Sequence, residues 1–432
     1  MWKAAPEASR VLKKMAEKLV QVSTIHPGQR VKAGKNKTGR TLLTPGYNSL
    51  ERAVYPAYWV RDPAWLAEDG GLVSPTEVWG WITLMSETMR GASPWFLASG
   101  GVVLPFSLAD HILLDGSPVY YPGTYASDER QGPPWGKYPP HDDQYWMTFS
   151  AYAYARMTGD WHSFLREVPT PEGMVPLWQV CEWTHNAFFV DEESQLCVAS
   201  EDLAEHIVDW GYNDTVTKTG KLLFPSLLRL ESASKLEILF RKVGISQKAE
   251  RYHTQAEAIR QAIFPTFYRE ERPGEGWLLS ATGLGHKADV WGTAFAIYRG
   301  CLGQDEVQAL GRALLRGFRE RTTVLKGQVR HLPTSEGFWE VCSCQEGTYQ
   351  NGAYWGYPVG WYLYALSLLD TQAAEEMFAE YLGYLQETWD EQLEHSVWEC
   401  INPEIGHYQN PGYLTTVALP YAALKAKGML AI

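Results

Sequence analysis

The chain is poor in cysteine, has no long apolar run and carries no excess of positive charge, and each absence removes a class of protein. Six cysteines in 432 residues are too few for a disulfide scaffold. Cys342-Ser343-Cys344 is the one close pair. No second pair completes a zinc set, so the six are read as reduced thiols and no metal ligand or cofactor is expected. No uninterrupted apolar stretch reaches the ~18 residues of a spanning helix. The N-terminal segment 1–22 is amphipathic and places Lys and Glu where a signal peptide has its apolar middle, which predicts a cytoplasmic protein without a membrane partner. Lys plus Arg number 38 against 50 for Asp plus Glu, a formal charge of −12, which disfavours nucleic acid as a partner.

What the chain does have is aromatic side chains, 19 Trp and 24 Tyr. Flat amphipathic rings fill cores, and they also line pockets and stack on sugars. The apolar pattern is helical nearly throughout. Helices are predicted at 7–24, from Ser74-Pro75-Thr76-Glu77 (a capping box with Pro at the first helical position), up to Thr158-Gly159, and at 172–189, 222–243, 246–268, 288–301, 305–320, 354–369, 371–388 and 412–427. Alternating strand patterns are confined to short pieces, such as around Val329. Ten to twelve helices without an evident linker predict an all-α chain, a single domain over 1–432. Its hairpins can close into a toroid whose loops face a central cavity. The Gly/Pro-rich connection 116–140 is expected to form part of the cavity rim.

Two stretches place carboxylates among aromatics. Val208-Asp209-Trp210-Gly211-Tyr212-Asn213-Asp214 precedes a long helix. An Asp beside Gly and Asn commonly caps a helix or shapes a turn, whereas a carboxyl against an indole has its pKa raised and can serve as a proton donor. Trp398-Glu399 sits in a turn with Asn402, Pro403, Glu404 and Gly406. Asp209 is the expected acid, with Asp202 and Asp214 as substitutes. Glu399 is the expected base, with Glu404 as its competitor. The cluster Tyr58-Trp59-Val60-Arg61-Asp62, together with Trp65, offers aromatic walls and paired donors and acceptors for hydroxyls. Asp142 and Asp143 are either helix-start residues or further hydroxyl acceptors.

This arrangement resembles the six-hairpin (α/α)6-barrel glycosidases: the processing α-glucosidase and mannosylglycerate hydrolase group, glucoamylases, trehalases and α-L-rhamnosidases. Tyr58-Trp59-Val60-Arg61-Asp62 looks like their Trp-x-Arg-Asp sugar-holding motif. Val208-Asp209-Trp210-Gly211 stands where they place the acid, and Gly347 to Trp355 is similar to an aromatic loop before the fifth hairpin. Trp398-Glu399 with Asn402-Pro403 and Gly406 looks like the segment bearing the base. Trp210 departs from the small residue many relatives have there. The resemblance implies hydrolysis of a terminal, α-linked sugar with inversion, using Asp209 and Glu399. Tyr58, Trp59, Arg61, Asp62, Trp65, Asp142, Asp143, Trp210, Gly211, Tyr354, Trp355 and Trp398 would contact a small carbohydrate substrate. Glycosylglycerates, being anionic, would draw on Arg61, Lys137, His141 and His407. A sugar isomerase or epimerase acting through two of His206, His286 and His407, or an unsaturated-uronide hydrolase, is the alternative on a similar toroid.

Overall fold

A computed structural model describes residues 2–69, 71–97, 100–120 and 136–431. Most of the expected rim, 121–135, lies outside the described residues. The helices in chain order are α1 (Pro6–Ser23), α2 (Arg61–Asp69), α3 (Pro75–Thr88), α4 (Trp146–Thr158), α5 (Leu177–His185), α6 (Leu223–Lys242), α7 (Ser246–Phe267), α8 (Val290–Arg299), α9 (Gln304–Arg319), α10 (Val359–Leu369), α11 (Thr371–Thr388) and α12 (Thr415–Ala426). Each of α2, α4, α6, α8, α10 and α12 packs against the next, and α12 packs back on α2, which closes an inner ring. The intervening helices pack outside it, α3 on α4, α7 on α6, α9 and α11 on α10, and α1 on α12.

The sequence dictates which ring a helix joins. The α6 side chains Phe224, Leu227, Leu228, Leu230, Ala233 and Leu236 are buried around the whole circumference, as an enclosed helix requires. In α9, Leu310, Ala313, Leu314 and Phe318 are buried on one stripe while Arg319 faces outward to Glu376 and Asp370. End signals act as expected. Ser74 Oγ accepts from the Glu77 amide, and the Glu77 carboxylate accepts from the Ser74 amide. Gly159 and Gly300 close α4 and α8 with φ of 72° and 73°, a conformation that costs glycine little.

The ring is a packed core and not a pore. Trp65 of α2 meets Trp146 of α4 and Trp361 of α10 at centroid separations of 5.4 and 4.8 Å, and Phe224 of α6 stacks on Phe295 of α8 at 5.1 Å. Much of the aromatic enrichment therefore serves the fold.

The all-α expectation needs correction. The connections at one end of the ring form short strands, among them an antiparallel five-stranded sheet in chain order: Val324–Leu325, Gln328–Arg330, Tyr354–Trp355, Cys400–Asn402 and His407–Gln409. A second sheet pairs Ala57–Trp59 with His111–Leu113, which pairs with Pro118–Val119. Strands of two to five residues are too short to show clear alternation. The same effect trims two predicted helices. Gly173–Pro176 and Tyr354–Trp355 are strands, and the helices begin at Leu177 and Val359. Conversely, Arg61–Asp69 is an inner helix that the local aromatic and charged pattern did not announce.

Inside the ring a charge cluster ties three inner helices. Lys235 Nζ lies 2.8 Å from Glu68 and from Glu231, and Arg299 lies 2.9 Å from Glu68. Burial alone would raise the Glu68 carboxyl, but Arg299 and Lys235 outweigh it and hold it at about 2. A depressed carboxylate stabilises the fold above its unfolded pKa, and the contribution is lost as pH falls toward the folded value. Glu68→Gln is expected to cost about 3–5 kcal/mol in denaturant unfolding at pH 7, because it strands buried cations. That deficit should shrink as the wild type is taken from pH 4 toward 2.

Candidate active site

A cavity of about 560 Å³ opens where the two sheets meet the inner ring, lined among others by Tyr55, Trp59, Asp62, His111, Asp214 and Glu399. Glu399 immediately precedes the strand Cys400–Asn402. Its amide donates to Gln409 O at 2.9 Å, and the carbonyl of Trp398 accepts from Thr416 Oγ1 of α12 at 2.7 Å. The Glu399 backbone is thus pinned from both sides.

Three donors converge on its carboxyl: Asn410 Nδ2 at 2.6 Å, Tyr55 OH at 3.2 Å to both oxygens, and Tyr349 OH at 3.3 Å. All three donors occupy left-handed backbone, with φ of 46° at Asn410, 47° at Tyr55 and 39° at Tyr349. Val397, two residues before Glu399, joins them at 51°. Non-glycine residues held there cost on the order of 1–3 kcal/mol each and persist only where surrounding packing enforces them. The packing here aims three hydroxyl and amide groups at one carboxyl. Burial still dominates and pushes Glu399 up to about 8, against the hydrogen bonds from Asn410 and Tyr55 and with the Asp214 charge adding to the rise.

Asp214 follows the single turn Gly211–Asn213. Its Oδ1 accepts from Gln350 Nε2 at 2.7 Å, and burial pushes it up to about 7. The turn is seated on Arg61. That guanidinium donates to Asp142 at 3.0 Å, to Asp143 at 2.9 Å and to Asp110, while the Gly211 amide donates to Asp142 at 3.1 Å. A Cβ on Gly211 would fall 1.9 Å from Arg61 Cζ, so only glycine lets the turn lie this close. Asp62 accepts from Tyr212 OH at 2.6 Å, and burial raises it to about 6. Trp59 stacks on His111 at 4.2 Å and meets Tyr55 edge-on at 5.1 Å.

The sequence-based site divides on this geometry. Glu399, Trp59, Arg61, Asp62, Gly211 and the substitute Asp214 line the cavity. Asp209 is not among the lining residues. Its Oδ2 is held by Lys218 Nζ at 2.6 Å, and burial raises it to about 6 against that partner. Asp202 caps the turn Leu203–Glu205, and Glu404 is exposed. Tyr58, Trp65, Trp210 and Trp355 are core; Trp210 stacks on Phe224 at 3.6 Å. Trp355 supports the site from behind by donating its indole N–H to Tyr349 O. Tyr354 packs with Tyr384 and Ile401, and Trp398 packs alongside. Asp142 and Asp143 begin the turn into α4 and are engaged by Arg61 rather than open to hydroxyls.

The histidines and cations proposed from sequence also fall elsewhere. His206, His286 and His407 do not line the cavity. Lys137 pairs with Glu205, and burial lowers His141 to about 4. Arg61 alone of the four proposed cations reaches the cavity, already engaged by three carboxylates. Sequence reasoning missed Tyr55, Tyr349, Asn410 and His111 as site residues. Asn410-Pro411-Gly412 after the Glu399 turn was a usable signal for a donor to the Glu399 carboxyl. His111 had none, since a 52-residue gap separates it from its stacking partner Trp59.

No protein-family model matches the sequence, and no curated protein aligns with it. Solved structures do match. A rhamnosidase from Klebsiella oxytoca superposes with a TM-score of 0.58 over 98% of this chain at 11% identity. Glucoamylase from Saccharomycopsis fibuligera superposes at 0.56 over 99% at 12% identity, and the glucoamylase of Hormoconis resinae at 0.57 over 98% at 12% identity. The chain shares the overall fold of this rhamnosidase and these glucoamylases. The chain spans 65% of the rhamnosidase and 97% and 74% of the two glucoamylases. Among the described residues, no helix is long and apolar enough to cross a membrane.

Gly211→Ala is expected to destabilise the protein by about 1–3 kcal/mol or more in denaturant unfolding, the usual cost of overpacking a rigid contact. Ala at the solvent-facing Gly383, which has open space, should cost nothing comparable.

Proposed function

We propose that the protein is a glycoside hydrolase that removes a terminal, α-linked sugar from a small oligosaccharide or glycoside with inversion of configuration. The observation that carries this reading is the meeting of two carboxyls, Asp214 and Glu399, in one aromatic-walled cavity, both raised by burial. Hydrolysis of a glycosidic bond needs one carboxyl protonated and one ionised. A desolvated pair supplies that combination near neutral pH, because two charges in one cavity repel.

Hydrogen bonding assigns the roles. Three donors on Glu399 favour the charged form there, and Glu399 deprotonates the attacking water. Asp214 has one donor, on Oδ1, which leaves Oδ2 to carry the proton given to the leaving oxygen. Asp214 thereby takes the acid role that the sequence placed at Asp209. Trp59, Tyr55, Tyr349 and Tyr413 offer flat faces to the sugar, and Asp62 accepts from its hydroxyls. A two-histidine isomerase finds one histidine, His111, at this cavity.

Aryl glycosides, natural disaccharides and glycosylglycerates, assayed with variants, test the assignment. Glu399→Gln should lose about 10²–10⁴ in kcat/KM on every substrate. Asp214→Asn should lose as much on disaccharides and much less on dinitrophenyl glycosides, whose leaving groups need no proton. Asp209→Asn should keep kcat/KM within about tenfold and lower the unfolding midpoint by leaving Lys218 unpaired. Equal collapse of Asp209→Asn, with Asp214→Asn active on disaccharides, would return the acid role to Asp209. The first product anomer, read by NMR, decides inversion.

The pH dependence follows from the pair. Below about 7 both carboxyls are protonated and no base remains; above about 8 both are ionised and no acid remains. Between them the reactive form, Asp214 protonated with Glu399 ionised, is the minor of the two singly protonated forms, because Glu399 is raised further than Asp214. The kcat/KM profile should peak between these values. Tyr349→Phe removes a donor that stabilises the Glu399 carboxylate, so the alkaline limb should move to higher pH and the maximum rate should fall as the reactive form becomes rarer.

A further inference from the structure

The cavity wall also holds a pair of thiols that hydrolysis does not use. Ser343 and Cys344 line the cavity. Cys342 and Cys344 are half-buried and within reach of small solutes, whereas Cys181, Cys197, Cys301 and Cys400 are buried. The pair is folded on itself: the Cys344 amide donates to Cys342 Sγ at 3.4 Å. Their segment is laced to the loop after Asp214. Thr217 N donates to Val341 O and Ser343 N to Thr215 O, both at 3.0 Å, and Cys342 Sγ lies 3.5 Å from Thr215 Oγ1. Thr215 Oγ1 donates to Gln350 Oε1 at 2.6 Å, and the other end of that amide holds Asp214. Three contacts therefore lead from the Cys342 sulfur to the Asp214 carboxyl.

We propose that Cys342 and Cys344 form a thiol-oxidation site at which a peroxide closes an intrachain disulfide, and that closure unseats Asp214 through Thr215 and Gln350. The second half rests on the reading of Asp214 as general acid.

The two sulfurs are suited to different steps. The hydrogen bond from Cys344 brings Cys342 down to about 7, so a thiolate is present near neutral pH. The same bond, with burial, pushes Cys344 up and keeps its proton. The Cys342 thiolate attacks one peroxide oxygen, breaks the O–O bond and becomes a sulfenic acid while hydroxide leaves. The Cys344 sulfur then attacks the Cys342 sulfur and expels its hydroxyl. The Cys344 proton and the proton that Cys342 gave up on ionising combine with the two hydroxides released, so two thiols and one hydrogen peroxide give one disulfide and two waters. Bringing the sulfurs into a covalent bond removes Cys342 Sγ from Thr215 and shifts the backbone that Thr215 and Thr217 share with 341–343.

The test treats the intact protein with equimolar hydrogen peroxide, blocks residual thiols and maps the peptides. The expected product is a peptide containing Cys342 and Cys344 that is two hydrogens lighter, reverted by dithiothreitol and absent in Cys342→Ser and Cys344→Ser. Hydrolytic rate should fall about tenfold or more, as small displacements of a reacting group do, and recover with dithiothreitol. In each serine variant the rate before and after peroxide should agree. A Cys344–Cys400 bridge, or irreversible sulfinic acid at Cys342, overturns the site. A clean Cys342–Cys344 disulfide with unchanged rate overturns the control of Asp214. The mapping needs no substrate, so failure to find any hydrolysed glycoside bears on the proposed function and leaves the thiol result readable.

Discussion

The Arg61 guanidinium, at the start of α2, is the interaction on which the site depends. It is buried, and it engages Asp110, Asp142 and Asp143 from chain segments that are far apart in sequence. A buried cation with fewer partners would be costly, and carboxylates beside it with no cation would be costlier still. The cluster therefore locks the Trp59–His111 sheet, the entry to α4 and the Gly211 turn into one arrangement. Gly211 presses directly on the guanidinium, and Asp214 is three residues further on. The position of Asp214, the proposed acid, is set by a charge cluster that contacts it through glycine and backbone, and a cluster of this kind relaxes poorly when any member is altered.

Desolvation is the second constraint. Asp62, Asp214 and Glu399 are pushed up by burial, while Asp110, equally buried, is held low because Arg61 and His111 outweigh its desolvation. The contrast shows how far a neighbouring cation can offset desolvation at an equally buried carboxyl. Around Glu399 the fold adds three donors in left-handed backbone, a strained geometry maintained by the sheet and by α12. Stability given up at those residues is offset by the aromatic plug of the ring, which makes no direct contribution to chemistry.

Much of the architecture was legible in the sequence. Helices with a wide apolar face, the Ser74 capping box and the Gly159 stop correspond to helices of the two layers. Apart from the piece around Val329, which is the strand Gln328–Arg330, the strands were not legible, since pieces of two to five residues carry little period, and α2 was hidden because its residues serve core and charge cluster together. At the site, Trp398-Glu399 stood out by its turn chemistry, and Trp59, Arg61 and Asp62 by their density. Aromatic density misled elsewhere. Trp65, Trp210 and Trp355 share the local signature of a pocket wall yet pack in the core, because an indole suits either setting.

By itself the sequence determined the helical periodicity, the acidic surface, the aromatic excess and the two carboxylate-bearing turns. These are local or compositional properties, readable without knowing what each residue touches. Only the tertiary structure distinguishes the settings of Asp209 and Asp214. The two are five residues apart in one turn-rich stretch, and the choice depends on Lys218 turning back to neutralise Asp209 while Gln350, 136 residues away, leaves one oxygen of Asp214 without a donor. Burial and partners fix a carboxyl's proton affinity, and both are supplied by chain segments that the local sequence does not name.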